Sequence, residues 1–220
     1  MDRVSGVGVL DKAVGVLRAL RAEGPLGLAE LQQATGLPRA TAHRLAVALE
    51  EHGLVRRDSA GRFCLGFELI AMGRAAADAF PLGDIARPLL VRLRDATGES
   101  VQLFVREGNE RRCVVSLQSP HGLRWIVPEG AVLPLEVGSA GRVLLATELL
   151  RGGSLESVEE REAGVASVSA PVRASDGRVI AAISVSGPVE RLTRLPGKRF
   201  GDAVVGCAAS LDDALAGSGL

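Results

Sequence analysis

Four residues that can read a base or grip an anion fall within six positions of one another: Arg39, Thr41, His43 and Arg44. They follow Pro38 and open the stretch PRATAHRLAVALEEHGLVRRDSAGRF at 38–63. Arg56, Arg57 and Arg62 come directly behind, in two short apolar runs around the polar turn DSAG. Arginine holds guanine with two hydrogen bonds, and Thr or His reaches a base or a phosphate. Free N–H groups at a helix start also favour a phosphate. The pattern fits a recognition helix entering a major groove by its N-terminal end, with hairpin arginines on phosphates or in the minor groove. Glu50 and Glu51, at the far end of the helix, are expected to point away from the duplex.

A second set of polar residues lies in the other half of the chain. VGSAGR at 137–142 puts small residues at a helix start, where a ligand could approach backbone N–H groups. In AISVSG at 182–187, alternation places Ser184 and Ser186 on one strand face and Ile183 and Val185 on the other. Ser167 and Ser169 repeat this on a neighbouring strand. Two readings stand: the hydroxyls line a small-molecule pocket, or they line the solvent side of a half-buried sheet. Trp125 could line such a pocket but reads first as a partly buried strand aromatic, and Glu159, Glu160 and Glu162 read as a solvated face rather than a charge sensor. Cys113 and Cys207 read as buried small hydrophobes.

Catalysis finds little support. No G-x-S-x-G elbow and no P-loop occurs. His43 and His52 belong to the first region, His121 stands alone between Pro120 and Gly122, and Ser139 has no evident base. Cys64, Cys113 and Cys207 are scattered and make no metal spacing with the histidines. The expectation is therefore no enzyme, no cofactor and no metal.

The elements that must position these groups follow from periodicity. A helix is expected over 9–22, with Leu10, Ala13, Val14, Leu17 and Leu20 as its apolar stripe. EGPLG breaks it; a short helix follows over 28–34 with Leu28 and Leu31 inward, then the turn TGLP. The third helix, 38–52, buries Ala42, Leu45, Ala46 and Leu49 and stops at Gly53. Two strands around DSAG complete a winged helix-turn-helix over 1–66. An Ala-, Leu- and Met-rich linker helix lies within 67–81 and ends at FPLGD, and 82–220 forms a second domain.

In that second domain, helices are expected over 85–96, 138–150 and 198–216. Strands are expected over 101–106, 112–117, 123–127, 133–137, 165–173 and 179–186, with the hairpin turn ASDG between the last two. LPGKR at 195–199 reads as a loop. This is an α+β domain with helices mainly on one side of a sheet.

Composition agrees with a globular chain: 220 residues, 47% hydrophobic and 24% charged, with 26 basic and 26 acidic side chains. Zero net charge argues against a protein that coats nucleic acid uniformly and leaves room for a local basic face. The start MDRVSGVGVLDKAV lacks a signal-peptide pattern and no apolar run suffices for a membrane span, so a cytoplasmic protein is expected. A winged helix can also act as a protein-interaction module without DNA.

The pieces GVGVLDKAVGVLRAL, LAELQQATGLPRATAHRLAVALEEHGLVRRDSAGRFCLG, ATGESVQLFVREG, LPLEVGSAGRVLLA, EREAGVASVSAPV and AAISVSGP occur in an order that resembles the IclR family of bacterial transcriptional regulators. The texture is most similar to an actinobacterial branch linked to leucine and other amino-acid biosynthesis genes. The resemblance implies a DNA-binding winged helix, a linker helix and a C-terminal GAF/PAS-like α+β effector-binding domain. It implies homodimers or dimers of dimers on palindromic double-stranded operators, and a small carboxylate or amino acid as effector. It further implies that Ser139, Ala140, Ser157, Ser167, Ser184 and Ser186 hold the effector. The chain departs from the family pattern at Ser157, where an aspartate is usual, and at Ser167, where a cysteine is usual. Ser154 stands in place of a tryptophan common to the branch, and a helix-length segment is missing between Leu150 and Gly152.

Overall fold

Helical spacing, glycine stops and strand alternation sort the chain into elements much as expected. The computed structural model describes residues 7–79, 81–146 and 153–218. By contacts the chain divides into two units, Met1–Phe80 and Pro81–Leu220.

In the first unit, α1 (Gly8–Glu23), α2 (Leu28–Thr35) and α3 (Arg39–Glu51) pack around Val16, Leu20, Leu31, Ala46 and Leu49. The buried stripe of α1 is Val16, Ala19 and Leu20; Leu10, expected inside, is 51% exposed because it lies a turn and a half before that stripe. The Glu30 carboxylate accepts the Gly27 N–H at 2.7 Å and so fixes the start of α2. Gly36 ends α2 in the left-handed region (φ 66°), which glycine adopts without a Cβ clash. The wing is β1 (Val55–Arg57) antiparallel to β2 (Phe63–Leu65). Leu26 adds a third, one-residue rung through a pair of 2.8 Å hydrogen bonds with Phe63. Phe63 is buried, contributes about 1.5–3 kcal/mol, and ties the wing to the helical core. The linker helix α4 (Glu68–Asp78) buries none of its residues.

In the second unit, α5 (Leu82–Thr97) precedes β3 (Ser100–Glu107) and β4 (Glu110–Leu117). Then come β5 (Val132–Pro134), α6 (Ser139–Leu145), β6 (Leu155–Val158), β7 (Val165–Arg173), β8 (Val179–Pro188), α7 (Val189–Leu192) and α8 (Pro196–Ser218). The strands form one antiparallel sheet in the order β5-β4-β3-β8-β7-β6. One face carries Val168, Ala170, Val172, Ile183 and Val185 against Leu90 of α5 and Leu211 of α8. The other face carries Phe104, Cys113 and Ala182 against Ala140, Val143 and Leu144 of α6. Helices thus cover both faces, the long ones on a single side.

Several expectations need correction. Residues 123–127 form no strand: the stretch is rich in apolar residues, but it pairs with no neighbouring strand, and Pro128 and a turn follow it. The expected strand at 133–137 shrinks to Val132–Pro134, whose register lies against Glu110–Arg112. The helix expected over 138–150 spans Ser139–Leu145; residues 147–150, like the missing segment before Gly152, lie outside the described residues. The first helix of this unit starts at Leu82, inside FPLGD, and LPGKR is no loop, since α8 begins at Pro196. β6 and α7 were not foreseen.

Candidate functional site

Two groups of side chains could do chemistry, one in each unit. In the first unit, Pro38 caps α3 and Arg39 opens it. Arg39, His43 and Arg44 are exposed and, among the described residues, hold no ion pair or side-chain hydrogen bond. Thr41 is half-buried and lines a groove with Val9 and Lys12 of α1, so it is the least accessible of the four.

The wing arginines are ordered differently. Arg62 donates to Asp58 (Nε to Oδ2, 2.9 Å), and the same carboxylate accepts the Ala60 and Arg62 backbone N–H groups. These bonds, the Arg62 N–H foremost, hold the Asp58 carboxyl below the usual carboxylate range. Arg57 lies 4.2 Å over the Phe63 ring and donates to Glu50 at 3.2 Å. Glu50, at the far end of α3, thus links the recognition helix to the wing, a contact the sequence did not suggest. Arg56 stacks on Phe67 at 4.9 Å.

In the second unit, the sheet face that carries α6 and the start of that helix line a cavity of about 40 Å³. Ser139, Ala140, Ser157, Ser167, Ser184 and Ser186 all line it. Ser184 is 2% and Ser186 5% exposed, so these hydroxyls do not face solvent. The Ser139 hydroxyl lies 2.7 Å from both Ser167 Oγ and Ser169 Oγ, and Ser186 donates to Gln102 Oε1 at 2.8 Å.

The start of α6 is less open than its small residues suggest. The Gly138 N–H is held by the Glu160 carboxylate at 3.1 Å, which also pairs with Arg142 at 3.0 Å. Gly141 lacks a Cβ not to admit a ligand: a Cβ there would meet Leu135 O at 2.0 Å and Arg111 Nη1 at 2.2 Å. Glu159, Glu160 and Glu162 are exposed, as expected of a solvated face; Glu160 in addition caps α6, and Glu162 lines the cavity.

Trp125 also lines the cavity, as one of its two readings allowed, though from a segment that forms no strand; sequence reasoning missed the polar wall residues Gln102, Arg111 and Arg161. Arg111 is 3% exposed and donates from Nη1 to the Pro134 and Val137 carbonyls at 2.6 and 2.7 Å. Burial, then the nearby Arg161 charge, push its pKa down to about 10. Arg161 stacks on Trp125 at 4.9 Å, and burial lowers its pKa as well. The available signal was alternation, which puts Arg111 on the same strand face as Cys113. Cys113 is fully buried, with its thiol pushed up to about 12 by burial, and is chemically quiet. Among the described residues no His, Cys, Asp or Glu cluster could hold a metal, and no helix is long and apolar enough to cross a membrane.

Comparison with known proteins agrees with this layout. The family model described as the IclR helix-turn-helix domain matches residues 9–59. The one described as bacterial transcriptional regulator IclR C-terminal matches 74–151 and 147–213. The chain is 30% identical to the glycerol operon regulatory protein of Streptomyces griseus, over 92% of this chain and 94% of that one. It is 27% identical to the transcriptional repressor IclR of Escherichia coli, over 88% and 84%. A crystal structure of an IclR homologue from Microbacterium hydrocarbonoxydans, complexed with 4-hydroxybenzoate, superposes with a TM-score of 0.78 at 21% identity, over 95% of this chain and 99% of that one. These relatives are regulators rather than enzymes, and the chain belongs to the IclR family of DNA-binding transcriptional regulators with a C-terminal effector domain.

Proposed function

We propose that the exposed, unpaired cluster Arg39, His43 and Arg44 at the start of α3 reads base edges of a palindromic operator, with Thr41 at its flank and Arg56, Arg57 and Arg62 of the wing on phosphates. The observation that carries this reading is the contrast in pairing: the α3 arginines have no carboxylate partner, while those of the wing that do pair, Arg57 and Arg62, bond within the wing or to α3. Arg44→Ala should weaken operator binding by about 1–3 kcal/mol and relax sequence preference at one position. Binding of the purified chain to its own upstream intergenic DNA, against unrelated DNA across a salt series, measures both. A variant that binds and discriminates like the parent would remove Arg44 from the interface. Preferential binding of the upstream DNA, with an affinity that weakens as salt rises, supports a specific regulator. No binding to any DNA at low salt would favour a protein-interaction module.

The working unit is a homodimer or a dimer of dimers. Support comes from α4 and its cap residue Phe67: Phe67, Ile70 and Met72 are exposed by 70%, 56% and 52%. Such side chains on a helix with no buried residue call for a partner surface. Sedimentation velocity should give a mass of two or four chains; a monomer at micromolar concentration would contradict this.

The cavity lined by Ser139, Ala140, Ser157, Ser167, Ser184 and Ser186 is the effector site, and a small carboxylate or amino acid is its ligand class. The effector alters operator binding only in so far as it prefers one arrangement of the oligomer. Control of amino-acid, including leucine, metabolism genes rests on the resemblance of the sequence alone, and the genes beside the bound intergenic DNA test it.

A further inference from the structure

Two buried donors at the cavity have no acceptor. Gln102 is 1% exposed, its Oε1 is taken by Ser186, and its Nε2 has no partner. Arg111 is 3% exposed and its Nε has no partner. A buried donor left without an acceptor is costly, so a wall holding two of them is complementary to something that accepts hydrogen bonds. The charge of the wall points the same way. Two guanidinium groups, Arg111 and Arg161, line the cavity against one carboxylate, the exposed Glu162. Burial, and then the Arg161 charge, disfavour the charged form of Arg111, and burial disfavours that of Arg161; a bound negative charge would offset both.

Size narrows the ligand further. About 40 Å³ accommodates roughly three water molecules. Acetate is of that scale; a benzene ring is not, while Trp125 stands in the wall under the Arg161 guanidinium.

We propose that Arg111 and Arg161 together hold the charged end of a compact anion of about acetate size, and that Trp125 limits what can enter. This rests on the cavity being the effector site, and it assigns binding to side chains rather than to the start of α6, whose Gly138 N–H is already taken by Glu160.

Trp125 is the single tryptophan of the chain, so its fluorescence reports the cavity directly. The full chain is titrated at constant ionic strength with sodium acetate, neutral acetamide and sodium benzoate. The expected result is a saturable response to acetate and none to acetamide or benzoate. Arg161→Gln should weaken acetate about tenfold or more, the loss of one charge-assisted contact, with an unchanged melting temperature. Trp125→Ala, followed by calorimetry, should gain benzoate binding. Equal responses to acetate and acetamide, or an unaltered Arg161→Gln variant, would overturn the arginine assignment. Benzoate binding by the parent protein would overturn the size limit, and no saturable response to any probe would overturn both. The operator assay above is read on DNA and decides the regulator reading independently of these outcomes.

Discussion

Gly141→Ala should destabilise the second unit by about 3–5 kcal/mol, the largest effect expected of any single added methyl in the cavity wall. The new Cβ would sit 2.0 Å from the Leu135 carbonyl oxygen and 2.2 Å from Arg111 Nη1, so backbone and guanidinium must both move. Arg111 then loses its short bonds to the Pro134 and Val137 carbonyls, and its buried charge loses its acceptors. The melting temperature should fall by roughly 10 °C. Gly206→Ala is the natural control. It lies in α8 with nothing within 4 Å of an added Cβ, and there alanine should be neutral or stabilise by about 0.4–1 kcal/mol. Equal melting of the two variants would mean that Leu135 and Arg111 can yield freely at Gly141.

The second large effect lies at the far end of the same sheet. Glu99, with its side chain 3% exposed, receives both nitrogens of Arg191: Nε at 2.5 Å and Nη2 at 2.8 Å. This pair ties α7 to the entrance of β3. It also packs against Gly187, where a Cβ would lie 2.5 Å from Glu99 Oε2. Arg191→Ala strands a buried carboxylate and should cost about 3 kcal/mol, the lower end for such pairs because Arg191 keeps 28% of its side chain in solvent. Adding Glu99→Gln to that variant should recover most of the loss, since the cost comes from the orphaned charge rather than from lost attraction. Chemical denaturation of the two variants separates these terms. A single variant that loses under about 1 kcal/mol would show that water reaches Glu99.

What could be read from the sequence divides along physical lines. The winged helix-turn-helix was legible because each of its helices has a buried stripe and a breaker, and because its hairpin turn carries Asp58 and Gly61 where such a turn needs them. The serines of β7 and β8 were legible as one face by alternation, but alternation alone could not say whether that face met water or a cavity. The segment at 123–127 differs for a related reason: Leu123, Trp125, Ile126 and Val127 make a short apolar run with strand-forming residues, and pairing, which residue type does not encode, is missing. Arg111 and Arg161 escaped because arginine in a strand or loop normally marks the wet side. Only the approach of residues 134–141 makes Arg111 interior, and the Trp125 ring half-covers Arg161. Glu160 escaped likewise, since its partners Gly138 and Arg142 lie about twenty residues upstream.

The wing has a thermodynamic consequence of its own. Arg57 is held between Glu50 and the Phe63 ring, Arg56 rests on Phe67, and Arg62 is bound to Asp58. A free arginine surrenders up to about 1.5–2 kcal/mol of rotamer freedom when it is immobilised. On docking as proposed, the wing side chains have much less of that freedom left to give up, because folding has already narrowed it. Arg39 and Arg44 have theirs intact. The entropic penalty of recognition should therefore fall mainly on α3, and stiffening that helix's first turn, rather than the wing, is the route to tighter binding.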